Sequence, residues 1–211
     1  MFVSVLCGLD VLVRDDFAPL RGKNVAVITN HTGRTVDGKH IIDVFAEQES
    51  FKMVCLFAPE HGIRGELDEE IKDERDEKTG LPVYSLYNPS ERRFWPTDEQ
   101  LKGVDTIVFD IQDIGTRFYT YVSEMGFAMQ IAEEKGIKFV VLDRPNPIGG
   151  LWVDGPTADP DKLGHTAFHP IPLVHGMTAG ELAGLYKSVK GMEDLDLTIV
   201  EVEGWKREMT W

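Results

Sequence analysis

Four short apolar runs, VAVIT (25–29), MVCLF (53–57), TIVFDI (106–111) and FVVLD (139–143), constrain the fold of this 211-residue chain more than any other feature. They are short, carry β-branched residues and are unbroken rather than alternating, so both faces need cover, as in a parallel sheet. A fifth run, LTIVEV (197–202), alternates more and reads as an edge strand. Helical patterns separate the runs. One extends from about Gly38 to Glu49 with Ile41, Ile42 and Phe45 on one face. A second covers Tyr121 to Lys135, with Met125, Ala128, Met129 and Ala132 at helical spacing, and closes on Gly136 as its C′ residue. A third follows Met177, where Thr178 and Glu181 have the spacing of a capping box. Strand, helix and strand in this order define right-handed βαβ units. The expected fold is a Rossmann-like three-layer α/β domain over residues 1–211, with a mostly parallel sheet and helices on both faces. TGLPVYSLY (79–87) is expected as a further strand or an extended lid, and WPTDEQL (95–101) has helix-start chemistry.

The net charge of −14 repels phosphate backbones, so nucleic acid is not an expected partner. No apolar run reaches about 18 residues, so no membrane span is expected. The start, MFVSVLCGLD, lacks a basic n-region and a small-residue cleavage site, so it does not read as a signal peptide. Localisation stays open: cytoplasmic as the chain stands, cell envelope or secreted if a leader was removed. Cys7 and Cys55 form no metal-ligand spacing, and Cys55 reads as a small buried hydrophobe. The acidic stretch ELDEEIKDERDE (66–77) reads as a solvated loop or helix face. Trp205 and Trp211 sit in a tail with no closing element, which suggests cover from a C-terminal domain or a second chain.

In doubly wound sheets, ligands bind outside the carboxyl ends of the strands. The segments there are NHTGRT (30–35), APEHGIRGE (58–66), FDIQDIGTRFYTY (109–121) and LDRPNPIGG (142–150), all rich in acids, amides, Arg and Gly. Entering connections such as LKGVD are plain by contrast. Glu60 follows Pro59; a carboxylate partly desolvated at a strand end has its pKa raised and serves as a general acid. The bland reading of Glu60 and His61 is a charged turn. Gly62 and Gly65 allow close backbone approach. Asp110 and Gln112 share a face and Asp113 opens the loop. Magnesium-dependent haloacid-dehalogenase phosphatases need Asp-x-Asp, and Gln112 stands at the second position, so no metal is expected. Asp110 and Gln112 suit paired hydrogen bonds to hydroxyl or amide groups. Arg117, Tyr119 and Tyr121 supply a cation and aromatic faces for a sugar, although the tyrosines also suit helix-to-sheet packing. Asp143 and Arg144 end a strand, and two prolines hold Asn146 extended. His175 lies beside a helix N-terminus, where imidazolium is disfavoured. No G-x-G-x-x-G, Walker A loop or G-x-S-x-G elbow is present, so no cofactor is expected.

Taken in order, GLDVL (8–12), TNHTG (29–33), FAPEHGIRGE (57–66), TGLPVYSLY, FDIQDIGTRFYTYV (109–122), VVLDRPNPIGG (140–150) and HGMTAGELA (175–183) resemble one family. It is the exo-acting β-N-acetylmuramidases of bacteria, formerly a domain of unknown function. The resemblance implies release of terminal N-acetylmuramic acid from the non-reducing end of peptidoglycan fragments, in cell-wall turnover and recycling. It also implies a Rossmann-like catalytic domain followed by a smaller C-terminal domain, with the site near their cleft. Family proteins run to nearly twice this length, so the chain matches the N-terminal catalytic half.

The family's candidate catalytic glutamate lies in the PEHG block and matches Glu60. Glycosidic cleavage needs that proton donor and a second group for the anomeric centre or its water. His61 would orient Glu60, while Asp110, Asp113 and Asp143 compete for the second role or for assistance from the substrate acetamido group. Muramic acid carries a lactyl carboxylate, for which Arg64, Arg117 and Arg144 are candidate clamps. Asn30, Gln112, Tyr119, Tyr121, Asn146 and His175 complete the expected substrate contacts. Two departures from the family pattern bear on substrate grip: LDEEIK (67–72) after RGE, and Glu124 where the family shows Thr. The rival reading is a non-catalytic carbohydrate-binding or scaffold domain.

Overall fold

The computed structural model describes residues 5–59, 62–63, 74–88 and 93–210. Its strands are β1 (Asn24–Thr29), β2 (Lys52–Ala58), β3 (Glu74–Arg75), β4 (Pro82–Ser85), β5 (Thr106–Asp110), β6 (Lys138–Leu142) and β7 (Leu197–Val200). They form one sheet in the order β3-β4-β2-β1-β5-β6-β7. Every pair is parallel except the two-residue β3 against β4. The expected edge strand, β7, is the edge, and PVYS of the ambiguous 79–87 segment is the strand β4.

Alternation within each strand divides two cores. On one face, Ile28, Phe57, Phe109 and Val141 pack with residues of α3 (Tyr121–Lys135) and α4 (Ala179–Val189), including Met125, Met129 and Leu182. On the other, Val27, Leu56, Val108 and Leu142 pack with α1 (Gly8–Arg14) and α2 (Ile41–Ala46), through Leu9, Leu12, Ile42 and Phe45. This double burial is why the runs are unbroken in apolar character.

Three local differences from the sequence reading have physical causes. The helix expected from Gly38 begins only at Ile41, because Gly38 has a φ of 82° in a turn and His40 caps the helix by accepting from the Ile42 N–H. Residues 95–101 form the reciprocal Thr97–Gln100 contacts of a helix start, yet only turns follow, and Gly103 at a φ of 82° ends them. The additional helix α1 seats its first residue on the sheet. A Cβ on Gly8 would lie 2.4 Å from the Asp143 nitrogen and 2.5 Å from the Val200 oxygen, so only glycine fits there.

Cys55 is buried in β2, as its sequence context suggests, and burial pushes its thiol up from 9.0 to about 12. The folded state therefore holds this proton more tightly than the unfolded chain. Stability from this group is intact below pH 9 and is lost as pH rises towards 12. The expected slope is about 1.4 kcal/mol per pH unit over that window. Urea melts at pH 9 and pH 10.5 check this: Cys55→Ala should fall less steeply than the parent, and equal slopes would refute it.

Candidate active site

The register Phe57–Ile28–Phe109–Val141 aligns the carboxyl ends of β2, β1, β5 and β6 along one edge. Strand order reverses at β1, since the chain steps from β1 to β2 on one side and returns to β5 on the other. The crevice of such a sheet lies at that reversal. The loops after β1 and β5 therefore occupy its centre, flanked by the loop after β6 and by the carboxyl end of β2. Glu60, His61 and Arg64 lie outside the described residues. Ala58 and Pro59 are buried and carry the chain to this edge, and Gly62 has a φ of 80°.

The three aspartates proposed from sequence have different surroundings. Asp110, fully buried, is gripped by Arg144: Nε donates to Oδ1 at 2.6 Å and Nη2 to Oδ2 at 3.1 Å. Nη2 also donates to the Arg34 carbonyl at 3.1 Å, tying the loop after β1 to the loop after β6. Burial opposes the guanidinium charge, but the Asp110 carboxylate outweighs it and holds the pKa of Arg144 above its usual value. This pair lies on the α1/α2 face.

Asp143 turns to the opposite face. Its Oδ1 accepts from the backbone of Arg144 at 2.9 Å and Gly180 at 2.7 Å, and its Oδ2 accepts from the Thr178 hydroxyl at 2.9 Å. Burial pushes its carboxyl up, against the lowering effect of these donors. Thr178 and Glu181 form the expected capping box, so Asp143 holds the start of α4 against the sheet. A groove of about 430 Å³ borders this point, lined also by Glu181, Ile199, Trp205 and Arg207. Trp205 is half-buried there, with the Arg207 guanidinium 5.9 Å from its ring. Trp211 lies outside the described residues.

Asp113 differs from both. Its Oδ2 accepts from the Gly115 N–H at 2.8 Å and lies 3.2 Å from His175 Nε2. That pair does not meet hydrogen-bond geometry, and neither Nε2 nor Asp113 Oδ1 has a hydrogen-bond partner among the described residues. His175 Nδ1 accepts from the Met177 N–H at 3.2 Å, so in neutral imidazole the proton sits on Nε2. Both side chains are at least nine-tenths buried. An isolated antiparallel bridge brings them together: Thr116 pairs with Val174, and the His175 N–H points to the Gly115 carbonyl.

The amides of the site brace its loops. Asn30 Oδ1 accepts from the backbone and hydroxyl of Thr32, whose hydroxyl in turn accepts from the Gln112 N–H at 3.0 Å. The Asn30 Nδ2 is buried and has no hydrogen-bond partner among the described residues. Gln112 donates from Nε2 to the Asp113 and Pro145 carbonyls at 2.7 and 2.9 Å. Asn146 donates to the Met177 carbonyl at 3.0 Å and accepts from the Ile148 N–H at 3.1 Å. Arg117 donates to the carbonyls of Pro156 and Ile171, which joins the β5 loop to the 156–171 segment. Tyr119 and Tyr121 meet edge to face at 4.7 Å. Burial first, and then the negative charge of Asp113, push the Tyr119 and Tyr186 phenols up.

Two features had little sequence signal. His40 bridges α2 to the site by donating from Nε2 to the Asn30 carbonyl at 2.9 Å. Glu124, marked in the sequence only as a departure from the family pattern, is fully buried in the first turn of α3, 3.0 Å from His165 Nε2. Phe94 stacks flat on that imidazole at 3.8 Å. The signal for this pair was a charged residue on an otherwise apolar helix face, but its partner is 41 residues away.

This architecture places the chain among the doubly wound α/β proteins, with buried carboxylate, amide and imidazole groups at the reversal of strand order. Residues 25–211 match the family described as "Exo-beta-N-acetylmuramidase NamZ, N-terminal", and the chain belongs to that family. It is 47% identical over 208 residues to the peptidoglycan beta-N-acetylmuramidase NamZ of Bacillus subtilis (strain 168), covering 98% of this chain and 49% of that protein. Two crystal structures of DUF1343 family proteins from Bacteroides fragilis NCTC 9343 share the fold. One has a TM-score of 0.91 at 40% identity and is matched by 100% of this chain over 53% of its own length. The other has a TM-score of 0.83 at 35% identity, with coverage of 99% and 54%. The chain thus spans about half the length of the relatives it matches.

Proposed function

We propose that this chain forms the sugar-cleaving half of a glycoside hydrolase that releases terminal N-acetylmuramic acid from the non-reducing end of peptidoglycan fragments. The observation that carries this reading is 47% identity, across 98% of the chain, to a protein named for β-N-acetylmuramidase activity. Glu60, two residues past β2 in sequence, is the proposed general acid, protonating the departing glycosidic oxygen as the anomeric C–O bond breaks, with His61 orienting it. A second half like that of the longer relatives would cover the loop-bearing edge of the sheet and complete a cleft for the sugar.

The engagement of Asp110 and Asp143 in structural contacts leaves both poorly placed for proton transfer without loss of those contacts. The Arg144 guanidinium is likewise occupied by Asp110, which favours Arg64 for the lactyl carboxylate. Incubation with a chromogenic N-acetylmuramide and its N-acetylglucosaminide counterpart tests reaction class and sugar preference together. The expected result is chromophore release from the muramide alone. In a protein that also carries the second half, binding by calorimetry without product release would favour the non-catalytic carbohydrate-binding reading.

A further inference from the structure

Asp113 Oδ1 and His175 Nε2 are a buried acceptor and a buried donor, on adjacent side chains 3.2 Å apart at their nearest polar atoms, and neither has a hydrogen-bond partner among the described residues. Leaving buried polar groups unpaired is destabilising. The fold nonetheless maintains them through the Thr116–Val174 bridge, the Gly115 N–H on Oδ2 and the Met177 N–H on Nδ1. Those last two contacts occupy the other polar atom of each side chain, so the open pair is one carboxylate oxygen and one imidazole N–H.

A group able to satisfy both at once must accept and donate from nearly the same position. A trans amide does not, because its N–H and C=O point in opposite directions. A carboxylate accepts but cannot donate, and it would meet Asp113 with like charge. An O–H group does both: its oxygen accepts from His175 Nε2–H while its hydrogen is donated to Asp113 Oδ1. We propose that Asp113 and His175 together form a receptor for a single O–H group at the centre of the crevice, belonging either to a sugar hydroxyl or to the water that attacks the anomeric carbon.

This deepens the muramidase reading and rests on it. If the O–H is the attacking water, its oxygen bonds to the anomeric carbon as the glycosidic C–O bond breaks. One water proton passes to Asp113, while the proton of Glu60 passes to the leaving oxygen. Proton exchange with solvent then restores both carboxyl groups. If the O–H belongs to the sugar, no proton is transferred and the pair positions the ring.

Three variants in the full chain test the receptor: Asp113→Asn, His175→Asn and His175→Gln. Asn at 175 can keep the acceptor facing the Met177 N–H but loses the Nε2 donor, whereas Gln can keep the outward donor. With the chromogenic muramide, Asp113→Asn and His175→Asn should each lower kcat/KM by about 10²-fold or more, and His175→Gln should recover much of the loss. A fall in kcat at constant KM identifies water. A rise in KM, with wild type but not Asp113→Asn discriminating against a deoxy-sugar substrate, identifies a sugar hydroxyl.

Wild-type kinetics in Asp113→Asn and His175→Asn, with only their melting temperatures lowered, would overturn the receptor and leave the muramidase reading standing. A wild type that stays inactive on the muramide when joined to a second half like that of its relatives would overturn that reading instead. The receptor is then judged by calorimetry with free N-acetylmuramic acid: binding weakened in both variants supports it. Equal binding by all proteins, or binding by none, refutes it.

Discussion

Glu60→Gln is expected to lower kcat on a chromogenic N-acetylmuramide by a factor on the order of 10³ while leaving the melting temperature unchanged. The amide keeps the size and shape of the side chain but has no proton to give to the leaving oxygen. The reasoning combines position and chemistry. In sequence Glu60 follows the buried Pro59 and Ala58, and Ala58 ends β2 at the edge where β1, β5 and β6 release their loops. A substrate with a very acidic leaving group needs less protonation, so the loss should shrink as leaving-group acidity rises. A Gln variant as active as the parent on an alkyl-like leaving group would remove Glu60 from the acid role.

The largest effect on stability is expected at Arg144. Replacement by Met leaves Asp110, fully buried, without its counter-charge. Breaking a buried pair in this way costs about 3–5 kcal/mol. At about 2–4 °C per kcal/mol for a domain of this size, the melting temperature should fall by roughly 10 °C. Asp110→Asn combined with Arg144→Met removes the stranded charge and should regain much of that loss. Thermal melts of both variants check this, and a single variant melting with the parent would show that Asp110 tolerates solitude through other contacts. The same substitution frees the Arg34 carbonyl, so the loop after β1 should lose order as well.

The degree to which this architecture was readable from residues alone varies by element. The unbroken apolar character of β1, β2, β5 and β6 reports burial on both faces, and the alternation of LTIVEV reports the edge. Thr178 and Glu181 announced the start of α4 because a capping box is complete within four residues. The α2 start was misplaced because a turn through Gly38 and a histidine cap outweighed a helical-looking apolar pattern. The helix α1 was missed because a seven-residue segment with one glycine start carries little periodicity, and its stability comes from the sheet it rests on.

The aspartates show where short-range inference ends. Asp110, Asp113 and Asp143 all follow or finish apolar strands and were equal candidates as sequence. What separates them is which donors arrive from distant parts of the chain: Arg144 for Asp110, Thr178 and Gly180 for Asp143, and His175 beside Asp113. Strand periodicity and capping depend on neighbours a few residues apart, so composition and spacing suffice to reveal them. The state of a buried carboxylate depends on partners about 34 to 62 residues away, whose approach exists only once the β5 and β6 edges and α4 have packed.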